Sequence, residues 1–159
     1  MDIISVRLEK EEENVILGQS HFIKSVEDIY ESIESASPSA KFGLAFCEAS
    51  GKRLIRFDGN DKLLTERAIR NAMKIGAGHS FIIHLKDAFP INVLPHIRNV
   101  PEILNIYAAT SNDLSVIVAE DSGRRGIIGV IDGEGPLGVE GEDDIRERQE
   151  FLRKIGYKR

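Results

Sequence analysis

Between Glu102 and Asp132 three apolar runs, EILNIYAAT, LSVIVAE and GIIGVID, follow one another with only SND and DSGRR between them. A parallel pair of strands needs a crossover of roughly a dozen residues, so these runs predict antiparallel neighbours. The segments before and after them carry helical patterning. DIISVRLE alternates apolar and polar residues as a strand does, and after the acidic turn EEEN the run VILG is expected to pair with it as an opening hairpin. Ser25 followed by Asp28 has the spacing of a capping box, and Val26, Ile29, Tyr30 and Ile33 then recur at helical spacing until Pro38, which predicts a helix over 26–35. FGLAFCEA and RLIRFD flank Ala49-Ser50-Gly51 as a hairpin, whose far end carries the turn DGND.

Asp61 is placed to cap a second helix with a stripe of Leu64, Ala68, Ala72 and Ile75, ended by Gly76. HSFIIHL reads as a strand. INVLPHIRNV is interrupted by Pro95 and predicts a helical turn or two. A last helix is expected to begin after the acidic Glu142, Asp143 and Asp144 and to end on Arg153 and Lys154 before Gly156, with charges that match the macrodipole at both ends. The expected class is α+β: a single domain over 1–159, with a mostly antiparallel mixed sheet and about three helices.

A chain of 159 residues, 42% hydrophobic and 30% charged, suits one globular domain with its own core. The net charge of −5 comes from interspersed acids, which argues against a general nucleic-acid surface and leaves any anion site to be built locally. Cys47, the one cysteine, has no partner for an internal disulfide. No apolar run approaches the ~20 residues of a membrane span, so no membrane partner is expected. Met1 leads directly into strand-like alternation, so neither a signal peptide nor a destination outside the cytoplasm is expected.

Seven of the fourteen glycines fall between Gly123 and Gly141, beside Arg124, Arg125 and Asp132. Glycine lets the main chain approach a ligand closely and the two arginines supply fixed positive charge, a combination that suits a phosphate. A twisted hairpin with a tight exit loop accounts for the same glycines. Gly133, Gly135 and Gly138 spell G-x-G-x-x-G, but Pro136 and Gly141 interrupt the helix that a dinucleotide fingerprint requires. Neither the P-loop pattern nor a protein-kinase catalytic loop occurs.

Four histidines are present: His21, His79, His84 and His96. His79 and His84 are an odd number of residues apart, so period-two geometry puts them on opposite faces of one strand. His84 mid-strand reads as a hydrogen-bonded structural residue, and His96 as a surface one. His79 stands just beyond Gly76-Ala77-Gly78, and His21 just before the first helix, both at places where a loop can present a side chain to a cleft. No histidine pair has the spacing of a metal site, so no metal is expected. Neutral imidazole can attack phosphorus and leave again, provided donors hold the phosphate oxygens and a carboxylate orients the ring. Arg124, Arg125 and glycine backbone are candidate donors; Glu48, Asp61 and Asp132 are candidate carboxylates, each with an ordinary turn or capping role as its alternative. Asn92, Asn105 and Thr110-Ser111-Asn112 add polar groups suited to a base or ribose, or to loop capping.

FGLAFCEASG, GND, AGHSF, FPINVL, YAATSN, GRRGIIGVIDG, GVEGEDD and FLRKIGYKR resemble the adenosine-specific kinase family of archaea and bacteria over nearly the whole chain. The resemblance implies a protein that binds adenosine and AMP, carries phosphate on a histidine, has an α+β fold of its own and assembles as a homotrimer. His79 in AGHSF, first, and His21 in GQSHFIKSVEDIY are the implied phosphorylated positions. Glu48, Asn60, Asp61, Asn92, Gly126 and Asp132 fall in the family's polar signature and are the implied ligand-site residues. Arg124 and Arg125 give RRG where the family's spelling is G-R-G, which leaves open the arginine that faces phosphate. A nucleotide donor, with its Mg2+, is the cofactor such a reaction implies. A module that senses AMP or adenosine without turnover is the alternative, and a mainly structural homo-oligomer pairing its strand edges is a third.

Overall fold

The computed structural model describes residues 1–159. Val15, Ile16 and Leu17 are all fully buried, so the strand that carries them has apolar partners on both faces. That strand, β2 (Asn14–Ser20), lies inside a five-stranded sheet with β3 (Lys41–Cys47), β4 (Ile55–Gly59), β5 (Ser80–Lys86) and β6 (Ile103–Thr110), in the order β4-β3-β5-β2-β6. A second sheet has the order β1-β7-β8, from β1 (Asp2–Arg7), β7 (Leu114–Asp121) and β8 (Arg124–Asp132). Every pairing is antiparallel. The class is α+β, as expected.

Period-two alternation sorts the core into two layers. Ile16, Phe42, Leu44, Phe46, Phe81, Ile83 and Leu85 pack against α1 (Ser25–Ala36) and α3 (Pro90–Arg98). Leu17, Ala45, Cys47 and Ile82 face the other way, onto α2 (Lys62–Ile75) and onto Val116 and Val118 of the small sheet. Each fully buried large side chain contributes roughly 1.5–3 kcal/mol. α2 sits so close to β3 that a Cβ at Gly43 would lie 2.1 Å from the backbone nitrogen of Thr65.

α4 (Glu142–Lys154) is the fourth helix, one more than the sequence predicts, and buries no residue. The extra helix is α3: nine residues long, it opens with Pro90 and carries Pro95 internally. Pro95 lies on the exposed side, while Val93 and Ile97 bury the other side.

Three local expectations are corrected. β1 pairs with β7, and β2 with β5 and β6, so the opening hairpin does not form. β2 is apolar on both faces and is taken by the central sheet, whereas β1 is half exposed and suits an edge. The SND turn also fails to join neighbours: β6 and β7 belong to different sheets, stitched together where Thr110 Oγ1 donates to Asp132 Oδ1 at 2.7 Å. Ser25 does not cap α1. Its hydroxyl turns inward to donate to the Phe22 carbonyl at 2.5 Å and meets Ser20 Oγ at 2.5 Å, and Asp28 pairs instead with Lys24 at 2.9 Å.

Candidate functional site

His79 is one of four non-glycine residues with positive φ, at 65°. Its N–H donates to the Cys47 carbonyl at 2.7 Å, and its own carbonyl accepts from the Ser20 N–H at 2.9 Å. β3 and β2 thus grip its backbone from two sides, which is how a left-handed conformation that costs about 1–3 kcal/mol persists. The ring stacks on Phe46, with centroids 6.0 Å apart and planes 14° apart. It remains half-buried at the wall of a cavity of about 700 Å³.

The same cavity receives His21, Glu48 and Arg56. His21 is exposed, and its N–H donates to the Glu102 carbonyl at 3.2 Å, fixing the loop between β2 and α1. Glu48 follows β3; its Oε2 lies 3.4 Å from Arg56 Nε and its Oε1 accepts from the Ala49 N–H at 3.1 Å. Arg56 in turn donates to the Ile23 carbonyl, which ties β4 to the His21 loop. Phe22 and Leu54, both more than half exposed, add apolar faces.

Arg124 and Arg125 line a different cavity of about 510 Å³, on the other side of the β3–β4 loop. Arg125 Nε donates to Glu120 Oε2 at 2.5 Å and Nη1 to the Lys74 carbonyl at 3.0 Å, so this arginine joins the small sheet to the end of α2. The Arg124 side chain is 82% exposed, with Asp121 at 3.6 Å. Glu48, Lys52, Arg53 and Ile55 line both cavities.

The remaining sequence candidates lie elsewhere. Asn60 accepts the Phe42 N–H at 2.9 Å and donates to the Ala40 carbonyl at 2.8 Å, acting as a piece of backbone. Asp61 Oδ1 accepts the Leu64 N–H at 3.0 Å as the cap of α2. Asn92 Oδ1 accepts the Phe89 N–H at 2.8 Å, and its amide donates to Tyr157 Oη at 3.2 Å. Gly126 pairs with Ala119 inside the β7–β8 ladder, and Asp132 holds Thr110 and Asn112. None of these five touches either cavity beside the β3–β4 loop.

Sequence reading passed over Lys52, Arg53 and Arg56. Their signal was the basic pair directly after Ala49-Ser50-Gly51, at the tip of a hairpin that was itself legible; Arg53 adopts φ 49° there. No three His, Cys, Asp or Glu side chains gather as a metal-holding group. No helix is long and apolar enough to cross a membrane.

No curated protein matches the chain. The crystal structure of the PH1918 protein from Pyrococcus horikoshii OT3 is similar to it throughout: TM-score 0.95, 44% sequence identity, with 99% of this chain and 98% of that one covered. A family model described as adenosine specific kinase matches residues 4–158, and the chain belongs to that family.

Proposed function

We propose that this chain is a phosphotransferase acting on adenosine, working as one adenosine-specific-kinase-like unit, in which His79 carries the phosphoryl group. The observation that carries the reading is the constrained backbone of His79. A strained residue held from two strands, with its ring at the wall of a cavity that also receives His21, Glu48 and Arg56, is a pre-positioned group. The cavity volume falls in the range of small-molecule sites, roughly 300–1,000 Å³.

In the first step a ring nitrogen of neutral His79 attacks the terminal phosphorus of a phosphoanhydride. An N–P bond forms as the bridging P–O bond breaks, the electron pair leaves on the departing oxygen, and the other ring N–H proton passes to solvent. In the second step the 5′-hydroxyl of adenosine attacks that phosphorus. The N–P bond breaks with its pair returning to the ring, the hydroxyl proton is passed through solvent to the ring and restores neutral imidazole, and AMP is released. Arg56 and Arg53 supply charge for the phosphate oxygens, Glu48 orients the arginine or the ring, and Phe22 and Leu54 give the purine an apolar face. Mg2+ would arrive on the phosphates of the donor.

The absence of a P-loop or kinase-loop motif favours a second reading, a module that binds AMP or adenosine without turnover. Incubating the protein with adenosine and a panel of phosphoanhydrides, and assaying AMP by chromatography, separates the two. We expect product in the wild type and at least a hundredfold loss in His79→Ala, with a smaller loss in His21→Ala. AMP that binds but never forms, with any donor, favours the sensor.

We also place the chain in the cytoplasm and as a homotrimer. Ile128 and Ile131 on edge strand β8 are 58% and 55% exposed, and Leu137 and Val139 beyond it are almost wholly so, an apolar surface that invites a second copy. Light scattering should return three times 17.7 kDa; a monomer at micromolar concentration overturns the assembly.

A further inference from the structure

We infer that the second cavity, bounded by the β3–β4 loop, the end of α2 and the β7–β8 turn, binds the phosphate chain of a phosphoanhydride, beside and separate from the histidine cleft. In a chain of net charge −5, four cations line it, Lys52, Arg53, Arg124 and Arg125, and the only carboxylate that does so is Glu48. Glu120 and Asp121 stand against Arg125 and Arg124, and Lys52 and Arg53 add positive charge in excess of Glu48, which raises the local concentration of anions. One orthophosphate leaves most of a cavity of about 510 Å³ unfilled, whereas two or three linked phosphates bring more charge to the four cations.

The cations are arranged rather than scattered. Ser122 and Gly123 both have positive φ, at 53° and 75°, and form a two-residue turn that sets Arg124 and Arg125 at the start of β8. Glu120 and the Lys74 carbonyl take Nε and Nη1 of Arg125, and its stem passes over Gly76, where a Cβ would lie 3.5 Å from Arg125 Cδ. This fixes the guanidinium and leaves Nη2 uncommitted. It also covers a carbonyl at the negative end of the α2 dipole, which would otherwise repel an anion. Lys52 and Arg53 are exposed at the opposite lip and enter no ion pair. Gly78 is required where the walls meet, because a Cβ there would lie 2.9 Å from the Ala49 side chain.

The two cavities share Glu48, Lys52, Arg53 and Ile55, and the chain passes from one to the other between Gly78 and His79. A phosphate chain in the basic cavity therefore lies against the wall from which His79 projects. Its assignment as the donor's subsite rests on the phosphotransferase reading; its affinity for a phosphate chain does not.

The test is calorimetry with inorganic triphosphate, pyrophosphate and orthophosphate on the wild type, the double variant Lys52→Ala/Arg124→Ala and His79→Ala, with adenosine titrated separately. Lys52 and Arg124 are exposed, so the double variant keeps its melting temperature. We expect triphosphate to bind most tightly and orthophosphate least, more weakly as salt rises. The double variant should lose at least tenfold in triphosphate affinity, and His79→Ala should bind triphosphate as the wild type does. Absence of triphosphate binding, equal affinity in the double variant, or loss in His79→Ala overturns the inference. Triphosphate binding that responds to the double variant, in a protein that never binds adenosine, upholds the basic site and overturns the adenosine reading alone.

Discussion

His84 Nδ1 lies 2.8 Å from Oε1 of Glu13, both side chains buried, across a sequence separation of 71 residues. The tautomer follows from Asn71. Its Oδ1 accepts the Glu9 N–H at 2.8 Å, so its amide nitrogen donates both to the Glu9 carbonyl at 2.7 Å and to His84 Nε2 at 2.9 Å. Nε2 is the acceptor, Nδ1–H is the donor to Glu13, and the ring is neutral. Burial opposes ionisation of Glu13, but the hydrogen bond from His84 and then Arg67 Nη1, 2.6 Å from the same carboxylate oxygen, outweigh it and hold Glu13 well below the usual carboxylate range. This network anchors the segment between β1 and β2 onto α2 and β5.

Removing Glu13 leaves a buried N–H and a guanidinium without their acceptor. Glu13→Ala is therefore expected to cost about 3–5 kcal/mol in denaturant unfolding, and Glu13→Gln, which keeps a carbonyl acceptor, distinctly less. Equal losses in the two variants would show that the carboxylate's geometry does not matter.

Stability should fall as the solution is acidified below neutral. Burial pushes the His84 pKa below its ordinary value of 6.5, so the folded state holds fewer protons than the unfolded one, and its contribution, complete above that value, is lost as pH drops. Glu13, also depressed, adds a second loss below about its ordinary 4.5. Melting temperature should thus decline from pH 7 to pH 4, and the His84→Gln variant should decline less between pH 7 and pH 5.

Glu102 acts in the opposite sense. It is 2% exposed, and neither carboxylate oxygen has a donor. Burial, followed by the nearby Asp28 carboxylate, which favours the protonated form of Glu102, raises its pKa, so its contribution is complete below 4.5 and lost as pH rises through the raised value. Glu102→Gln supplies a neutral side chain of the same shape. It should raise the melting temperature at pH 8 and change it little at pH 4; a lower value at pH 8 would mean that the ionised form has a partner.

Gly43→Ala should be among the most damaging single-methyl additions, because its Cβ would meet backbone atoms of Leu64 and Thr65 at 2.1–2.3 Å. Backbone cannot rotate away as a side chain can, so α2 must lift from β3, at a cost of about 3 kcal/mol or more by unfolding. Gly126→Ala, where nothing stands within 4 Å, should be nearly silent by comparison.

Asp61→Ala tests whether the family's polar signature marks ligand or scaffold. As the cap of α2 it should cost about 1 kcal/mol of stability. Adenosine binding measured by calorimetry should be unchanged; a loss without unfolding would return Asp61 to the ligand site.

What was legible in the sequence was what short-range periodicity encodes. The alternation through Phe81, Ile82, Ile83 and His84 assigned His84 to a structural face, and the stripe from Leu64 to Ile75 with Gly76 behind it marked α2 to within a residue. Pairing partners were less legible. Whether β2 joins β1 or β5 depends on which apolar faces meet, and the Glu13–His84 contact that fixes the choice spans the length of half a domain. The same reason divides the site. His79 and His21 could be named from their glycine and loop surroundings, but not that Arg124 and Arg125 would be separated from them by the loop bearing Lys52 and Arg53.

Covalent phosphate on His79 is the claim on which the rest depends. The direct measurement is to react the protein with a labelled phosphoanhydride, digest it under alkaline conditions that preserve N–P bonds, and map the modified peptide by mass spectrometry. The account predicts label on the peptide containing His79, acid-labile, chased by adenosine into AMP, and absent from His79→Ala. A protein that turns over adenosine while His79 stays unmodified, or that keeps full labelling in His79→Ala, contradicts it.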